Sequence, residues 1–494
     1  MPFISSINTL RAIKKEVIVP VTDWTSPTVA AYKWDGQLLP NGRMGSQIKA
    51  AAKSTYHGFS DYSEKKKYMG VMGQAHNGSE HGATDIYVYD ITDPNNPFVE
   101  HVVKHWDWYN DGGFSTFAIN EHYIIVSDIS YNNYTGKIWI EKIGEGSRGY
   151  QILVNEEGGI EGTIQGTYFG EQIGITETTD GRSFSDSGFS FAVGAPYEAG
   201  TDGTGSGKVY NYTYTGSSGA ILLNKIDNPS TVPKSGQEWR GTGWNDFFGN
   251  SAIEMNTTHI LIGSRDENDA SSSTSGAAHL FNIDGSFIRT YNNPNAFGTG
   301  AGDRFGNDVS LTSKYIIASA AHEDQANTPD WSNTNAGKVY IFDINSGSLL
   351  HTLDNPNTGV DVPDLPGGDL FGWSIAANET HLIVGAQGYE DYYTTSGGGY
   401  EGIGGIVYIY TLQDGVLVET LNNPIGYKNY DFDTIFSPDN FGYSLDISDD
   451  TLIVGSPGYD FTNTAYPGPY GQFPNMTDSM KDKGAIFIIK PANN

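Results

Sequence analysis

Three acidic residues in one polar segment could ligate a metal ion. Glu177, Asp180 and Asp186 surround Gly181 between two stretches of strand-like sequence. Carboxylate oxygens are preferred ligands of Ca²⁺, and a glycine permits the sharp turn of a calcium loop. The regular alternation of ligands in such a loop is broken in this segment, so we expect a solvated acidic turn and no cofactor. A Ca²⁺ site is the alternative interpretation.

Two long segments rich in Tyr and Gly are candidate binding loops. Tyr combined with small polar residues is typical of adaptable recognition loops, which usually extend from a rigid scaffold. The candidates are Tyr389, Tyr392, Tyr393 and Tyr400 in the first segment, and Tyr459, Tyr466 and Tyr470 in the second. The alternative interpretation is that both segments are simply long turns.

A third candidate surface is basic. Residues 1–70 contain ten basic and five acidic residues, which gives +5, whereas the other 424 residues carry −35. The run Lys65, Lys66 and Lys67 is the densest part of this segment. We expect it to dock onto an acidic partner protein or a neighbouring subunit. A locally solvated basic surface is the alternative.

Histidines give a weaker signal. His122, His259 and His381 each stand just before a strand-like run at the same place in a repeated pattern. A polar turn residue explains all three. His101 and His105, with two aspartates nearby, could form a site, but no second group of ligands or catalytic residues accompanies them.

Composition excludes several classes of protein. The chain has 494 residues, and 28 Lys and Arg against 58 Asp and Glu give a net charge of −30. This charge argues against nucleic-acid binding, which needs a basic face. The absence of cysteine excludes disulfides, thiolate metal sites and cysteine nucleophiles. No apolar run reaches the ~18 residues of a membrane span, and we expect neither membrane insertion nor an N-terminal signal peptide.

A repeat supplies the elements that would position these residues. Each copy contains Phe-Gly or a variant, then a β-branched run ending in Gly-Ala-Pro or a variant, then a glycine and another such run. Clear copies begin at Phe169, Phe248, Phe305, Phe371 and Phe441, and weaker copies begin at Met44 and Gly113. A fourth strand-like run in most copies ends in an Asn-Pro turn, because proline cannot continue a strand ladder.

Four strands at a period of about 60–70 residues are typical of a propeller blade. The sequence therefore predicts an all-β, seven-bladed β-propeller. The Phe-Gly…Gly-Ala-Pro pairing resembles the FG-GAP repeat of integrin α-subunit propellers and of many bacterial and viral propellers. The resemblance covers roughly residues 41–490, with residues 1–40 as an N-terminal arm. It implies that the Phe rings pack between neighbouring sheets. It also implies calcium loops, but most copies in this chain have only a short turn at that place.

The last copy has three predicted strands and no fourth. The strand-like run Lys14–Val21 could supply it. We expect this N-terminal strand to pair with Ala485–Ile489, which would close the last blade and remove an exposed sheet edge.

These observations predict a non-enzymatic recognition or adhesion protein. The leading hypothesis is a virion component, such as a phage tail, fibre or capsid appendage, that is made in the cytoplasm and contacts a host surface glycan or protein. One alternative is a bacterial secreted or surface adhesin. Another is a polysaccharide lyase or glycoside hydrolase, which would need paired carboxylates.

Overall fold

The protein folds as an all-β ring of seven sheets. The computed structural model describes residues 23–32, 42–50, 68–77, 80–81, 86–92, 98–103, 115–143, 151–154, 166–177, 188–198, 206–215, 218–230, 246–268, 274–294, 302–324, 335–356, 368–390, 393–394, 400–401, 404–423, 440–448, 451–457 and 485–492. Each sheet is an antiparallel blade whose strands run in order from an inner to an outer position. Inner strands of neighbouring blades contact one another around the ring, and blade 7 contacts blade 1. The predicted seven-bladed β-propeller is confirmed.

Six blades are built from consecutive strands of the chain, which follow one another from the inner to the outer position. Blade 1 contains Gly42–Ala50, Tyr68–Asn77, Ile86–Asp90 and Phe98–Val103, with the short strand Glu80–His81 beside the second; blade 2 contains Thr116–Ile119, Tyr123–Asp128, Lys137–Lys142 and Gln151–Val154; blade 3 contains Ile173–Ile175, Phe189–Ala195, Lys208–Thr215 and Gly219–Asp227. Blade 4 contains Ile253–Met255, His259–Ser264, Ala277–Asn282 and Phe287–Asn292; blade 5 contains Val309–Leu311, Tyr315–Ala320, Lys338–Asp343 and Leu349–Asp354; blade 6 contains Phe371–Ala377, His381–Glu390, Gly404–Thr411 and Leu417–Asn422.

Two short additions interrupt this pattern. The helix Tyr131–Tyr134 lies between the second and third strands of blade 2, and the strands Tyr393–Thr394 and Tyr400–Glu401 form a small hairpin in blade 6. Within the described part of the chain, no helix is long and apolar enough to cross a membrane.

Blade 7 is closed by an N-terminal strand, as predicted, but from a later segment than expected. Its strands are Ser444–Ser448, Thr451–Ser456, Ala485–Ala492 and Asp23–Tyr32. Asp23–Tyr32 pairs antiparallel with Ala485–Ala492, and Val29 lies opposite Ile489. The prediction that Lys14–Val21 pairs there is wrong, because both edges of the third strand are already occupied. Lys14–Val21 itself lies outside the described residues.

The Phe-Gly segments of blades 3 to 7 lie against the backbone of the preceding blade. The Phe305 N–H donates to the Ser275 carbonyl at 2.9 Å, and the Phe371 N–H donates to the Ala336 carbonyl at 3.0 Å. In both cases the acceptor directly precedes the glycine that opens the third strand. The rings themselves are fully buried in all five clear copies, Phe169, Phe248, Phe305, Phe371 and Phe441. We call this arrangement the Phe-Gly contact.

Only glycine fits the third-strand position of this contact. Gly276 has a φ of +82°, and a Cβ on it would lie 2.0 Å from the Phe305 carbonyl oxygen. An L-residue would therefore be strained by its backbone and would also collide with the next blade. The sequence pattern is thus a requirement of inter-blade packing.

A second row of contacts joins the blades at their periphery. The Asn224 side chain, on the outer strand of blade 3, donates to the Asp284 carbonyl of blade 4 at 2.6 Å. His351 of blade 5 contacts the Gln413 carbonyl of blade 6 at 3.0 Å. Neighbouring blades are therefore joined at the Phe-Gly contact and again at the periphery, which makes the ring a stiff scaffold.

Gly276→Ala should destabilise the protein more than Gly302→Ala does. Both glycines have positive φ, but a Cβ on Gly302 meets nothing within 4 Å. We expect Gly302→Ala to lower the free energy of unfolding by about 1–2 kcal/mol from backbone strain. Gly276→Ala should lose about 1–3 kcal/mol more from overpacking. Urea denaturation measures both, and equal losses would contradict the role given to the Phe-Gly contact.

Deleting residues 1–32 should lower the melting temperature much more than deleting residues 1–22. The larger deletion removes the outer strand Asp23–Tyr32 and exposes the edge of Ala485–Ala492. Thermal unfolding followed by circular dichroism compares the two variants with the full chain. If the shorter deletion alone produced the whole loss, the closing strand would be misassigned.

Candidate functional site

The blade topology separates two faces of the propeller. Inner strands begin, second strands end and third strands begin at the face that carries the Phe-Gly contacts, which we call the FG face. The turns between first and second strands, and between third and fourth, lie at the opposite face, which we call the turn face. On the FG face, side chains from several blades converge above the first and second strands of those blades.

Four aromatic rings form a continuous column on the FG face across blades 2 to 4. Ring centroids are 4.9 Å apart for Tyr134 and Tyr168, 4.5 Å for Tyr168 and Tyr197, and 4.8 Å for Tyr197 and Phe247. Tyr134 is 48% exposed and Tyr197 is 43% exposed. We call these four residues the aromatic arc. It presents a large aromatic surface to solvent on a rigid support.

The repeat's own backbone geometry fixes the arc. Tyr168 and Phe247 directly precede a Phe-Gly pair, and their φ values are +54° and +52°. Tyr134, two residues before a third-strand glycine, has a φ of +64°, and its carbonyl accepts the Tyr168 N–H at 3.0 Å. Such φ values are uncommon for residues other than glycine and persist only when the surrounding structure holds them. The backbone that carries three of the four rings is therefore held in place before any ligand arrives.

Charged side chains continue the site over blades 4 and 5. Arg304 precedes Phe305, as Phe247 precedes Phe248, and His322 is the positional equivalent of Tyr197. The Arg265 Nε lies 3.6 Å from the Asp266 Oδ2. Burial, followed by the charges of Arg304 and Arg265, lowers the pKa of His322 to about 4. We call Arg265, Asp266, Arg304 and His322 the charged segment.

The charged segment adjoins the aromatic arc on one side and further aromatic rings on the other. Burial raises the pKa of the Tyr197 hydroxyl, and the charges of Asp266 and Arg265 also act on it. Burial likewise raises the pKa of Glu171, against the opposing effect of Arg265. On the far side, the His322 ring centroid is 6.3 Å from that of Trp373. The site thus spans several blades around the axis.

The predicted metal site is only partly described. Glu177 lies at the turn face, beyond the inner strand Ile173–Ile175, and its backbone carbonyl accepts the Thr176 hydroxyl at 3.0 Å. Asp180 and Asp186 lie outside the described residues. Among the residues that are described, no group of three His, Asp or Glu could hold a metal ion. The solvated acidic turn, with calcium binding as the alternative, stays a prediction.

The strands that flank the predicted binding loops end and begin at the FG face. Tyr389 belongs to the second strand of blade 6, and Thr394 pairs with Tyr400 in the small hairpin that also contains Tyr393. Tyr392, Tyr459, Tyr466 and Tyr470 lie outside the described residues, as do Lys65, Lys66 and Lys67. The strands that flank the lysine run, Gly42–Ala50 and Tyr68–Asn77, end and begin at the turn face. The two predicted surfaces therefore start from opposite faces.

The histidines have structural partners. His101 Nε2 lies 2.8 Å from the Glu141 Oε2, which joins the outer strand of blade 1 to blade 2. His259 and His381 each place Nδ1 2.8 Å from the hydroxyl of the preceding threonine. Burial lowers the pKa of both. These contacts favour the interpretation as turn residues.

Blades 3 to 5 each bury a glutamate at the same repeat position. Their carboxylates bond to the third strand of the same blade: Glu198 with the Tyr210 hydroxyl at 2.5 Å, Glu267 with His279 Nε2 at 2.8 Å, and Glu323 with the Tyr340 hydroxyl at 2.6 Å. Glu323 also lies 3.1 Å from the Lys338 Nζ. These carboxylates join the second and third strands within a blade, which is a structural use of the acidic residues.

Sequence reasoning missed the aromatic arc and the charged segment. Their residues stand immediately outside the repeat motifs, at positions where the copies differ: Tyr168, Phe247 and Arg304 before Phe-Gly, and Tyr197, Asp266 and His322 after the second strand. Aligning the copies and reading these variable positions around the ring would have revealed a cluster.

Comparison with known families agrees with this architecture. Residues 296–342, which contain the Phe305 copy, match a family model described as FG-GAP repeat. No curated protein sequence is significantly similar to the chain. The chain is therefore a seven-bladed propeller with an FG-GAP repeat, an arrangement that suggests a protein of the binding or adhesion type.

The buried Glu323 should make stability fall as pH rises from about 4.5 to about 7. Burial raises the pKa of Glu323 to about 7 despite its bonds to Tyr340 and Lys338. The folded state therefore holds a proton that the unfolded chain releases in this interval, and the resulting stabilisation is lost as Glu323 ionises. Glu323→Gln should reduce the slope of melting temperature against pH. Asp414→Asn, at an exposed turn, is the control and should leave the slope of melting temperature against pH unchanged. The same unchanged slope in Glu323→Gln would contradict the raised pKa of Glu323.

Proposed function

We propose that the protein is a non-enzymatic recognition protein that binds its partner through the FG face. The single observation that carries this proposal is the aromatic arc, an exposed column of rings held by a strained and hydrogen-bonded backbone. Tyr and Phe rings supply large contact areas at low cost in side-chain entropy, and such anchors dominate binding energy at interfaces. The rigid ring of blades adds preorganisation, which lowers the cost of association.

The same proposal places the protein in a virion, as a tail, fibre or capsid appendage that contacts a host surface glycan or protein. The acidic surface and the absence of cysteine suit a protein that assembles inside a cell and functions outside it. The Tyr-rich segments start from the FG face with the arc, whereas the strands flanking Lys65–Lys67 meet the turn face. The FG face would then point toward the host and the lysine run toward the particle.

A binding assay with matched variants tests this function. Tyr134→Ala combined with Tyr197→Ala should weaken binding of the purified protein to host cells at least tenfold, because it removes the exposed rings of the arc. Phe287→Ala is the control, since Phe287 is 51% exposed but lies on the outer strand of blade 4. Undiminished binding by the arc variant would contradict the proposal. Antibodies against the protein should label intact particles, and labelling of the producing cell's surface instead would favour a bacterial adhesin.

A further inference from the structure

We propose that the FG face binds an acidic sugar at the end of an otherwise neutral glycan, with its carboxylate on Arg265 and Arg304 and its ring against Tyr197 and Phe247. This inference rests on the proposed function and names the ligand class of the same site. It combines three features of the described residues: buried nitrogen atoms without a hydrogen bond, two arginines that act on the same histidine, and an adjacent exposed ring.

Two nitrogen atoms of the charged segment are buried without a hydrogen-bond partner. They are the Arg265 Nε and the His322 Nδ1, among the residues that the structure describes. A buried polar atom left unpaired costs about 1–3 kcal/mol, so most such atoms in folded proteins are paired. The Asp266 Oδ2 lies 3.6 Å from the Arg265 Nε, which is too far for a hydrogen bond, so an oxygen atom of a ligand would supply the missing acceptor for this N–H. A guanidinium is also well shaped for a carboxylate, which it can bind through two parallel hydrogen bonds.

Two arginines act on the same histidine in an otherwise acidic protein. The chain carries a net charge of −30, yet Arg304 and Arg265 each depress the pKa of His322 more strongly than Asp266 raises it. Among these three charges, the two arginines therefore outweigh the aspartate at His322. A pair of arginines in an acidic protein favours one anionic group, while the negative charge of the rest of the protein repels a polyanionic chain. These two conditions together indicate a single carboxylate on a neutral ligand.

The aromatic arc places a ring surface beside Arg265. Tyr197 is half-exposed, and its ring centroid lies 4.8 Å from that of Phe247. The charges of Arg265 and Asp266 act on the pKa of its hydroxyl. An aromatic face packs well against the apolar C–H face of a sugar ring, while the planar Arg and Asp groups suit its hydroxyls. The carboxylate subsite and the ring subsite are thus adjacent, as an acidic sugar requires.

Isothermal titration calorimetry with four probes tests this inference. The probes are 3′-sialyllactose, its methyl ester, lactose and trigalacturonic acid. We expect the wild-type protein to bind sialyllactose at least tenfold more tightly than the uncharged ester, lactose or the polyanion, with an affinity that falls as salt rises. Arg265→Gln and Arg304→Gln should abolish the preference for the acid over its ester. Tyr197→Ala should weaken binding of both, because the ring contact does not depend on charge.

Lys314→Gln is the control variant, because it removes an exposed positive charge at the turn face. It should keep the full preference, and melting temperatures confirm that each variant is folded. Equal affinity for acid and ester, tighter binding of the polyanion, or an unaltered preference in both arginine variants would overturn the inference. If that happened while the arc variant still failed to bind host cells, the proposed function would stand and only the ligand class would be wrong.

Discussion

The rest of the structure depends on the backbone contact between a Phe-Gly segment and the glycine that opens the third strand of the preceding blade. This contact fixes the distance between blades, because two main chains meet with no side chain between them. It also buries the Phe ring between the sheets, where it contributes a large part of the apolar packing of each interface. Everything on the FG face is positioned relative to this contact.

The same contact explains how one fold can carry a specific site. The residue before each Phe adopts positive φ whatever its type, as Tyr168, Arg304 and Leu370 do with values of +54°, +57° and +55°. The strain at this position is thus imposed by the repeat and offset by packing elsewhere. Side-chain identity there is free to vary, and the ring presents the variable residues at regular intervals. Aromatic residues occur on one side of the FG face and charged residues next to them.

The fold could be predicted from the sequence because five of the seven copies share the same Phe and the same two glycines. The position of the closing strand could not, since Lys14–Val21 and Asp23–Tyr32 both contain strand-forming residues, and only pairing with Ala485–Ala492 distinguishes them. The aromatic arc was hidden for a different reason. Tyr134, Tyr168, Tyr197 and Phe247 are far apart in the chain and become neighbours only through the ring. The buried glutamates likewise look like surface residues until their Tyr and His partners are known.

Blade 7 combines an early strand of the chain with three late ones, and this affects the order in which the blades fold during synthesis. Asp23–Tyr32 leaves the ribosome more than 450 residues before the strand it pairs with. At a synthesis rate of about 5–20 residues per second, it waits roughly 20–90 s for that partner. Six blades can assemble before that partner is made, while the seventh forms only once Ala485–Ala492 has been synthesised. An incompletely translated chain would therefore carry two unprotected strand edges, and chaperones and proteases would encounter the protein mainly in that state.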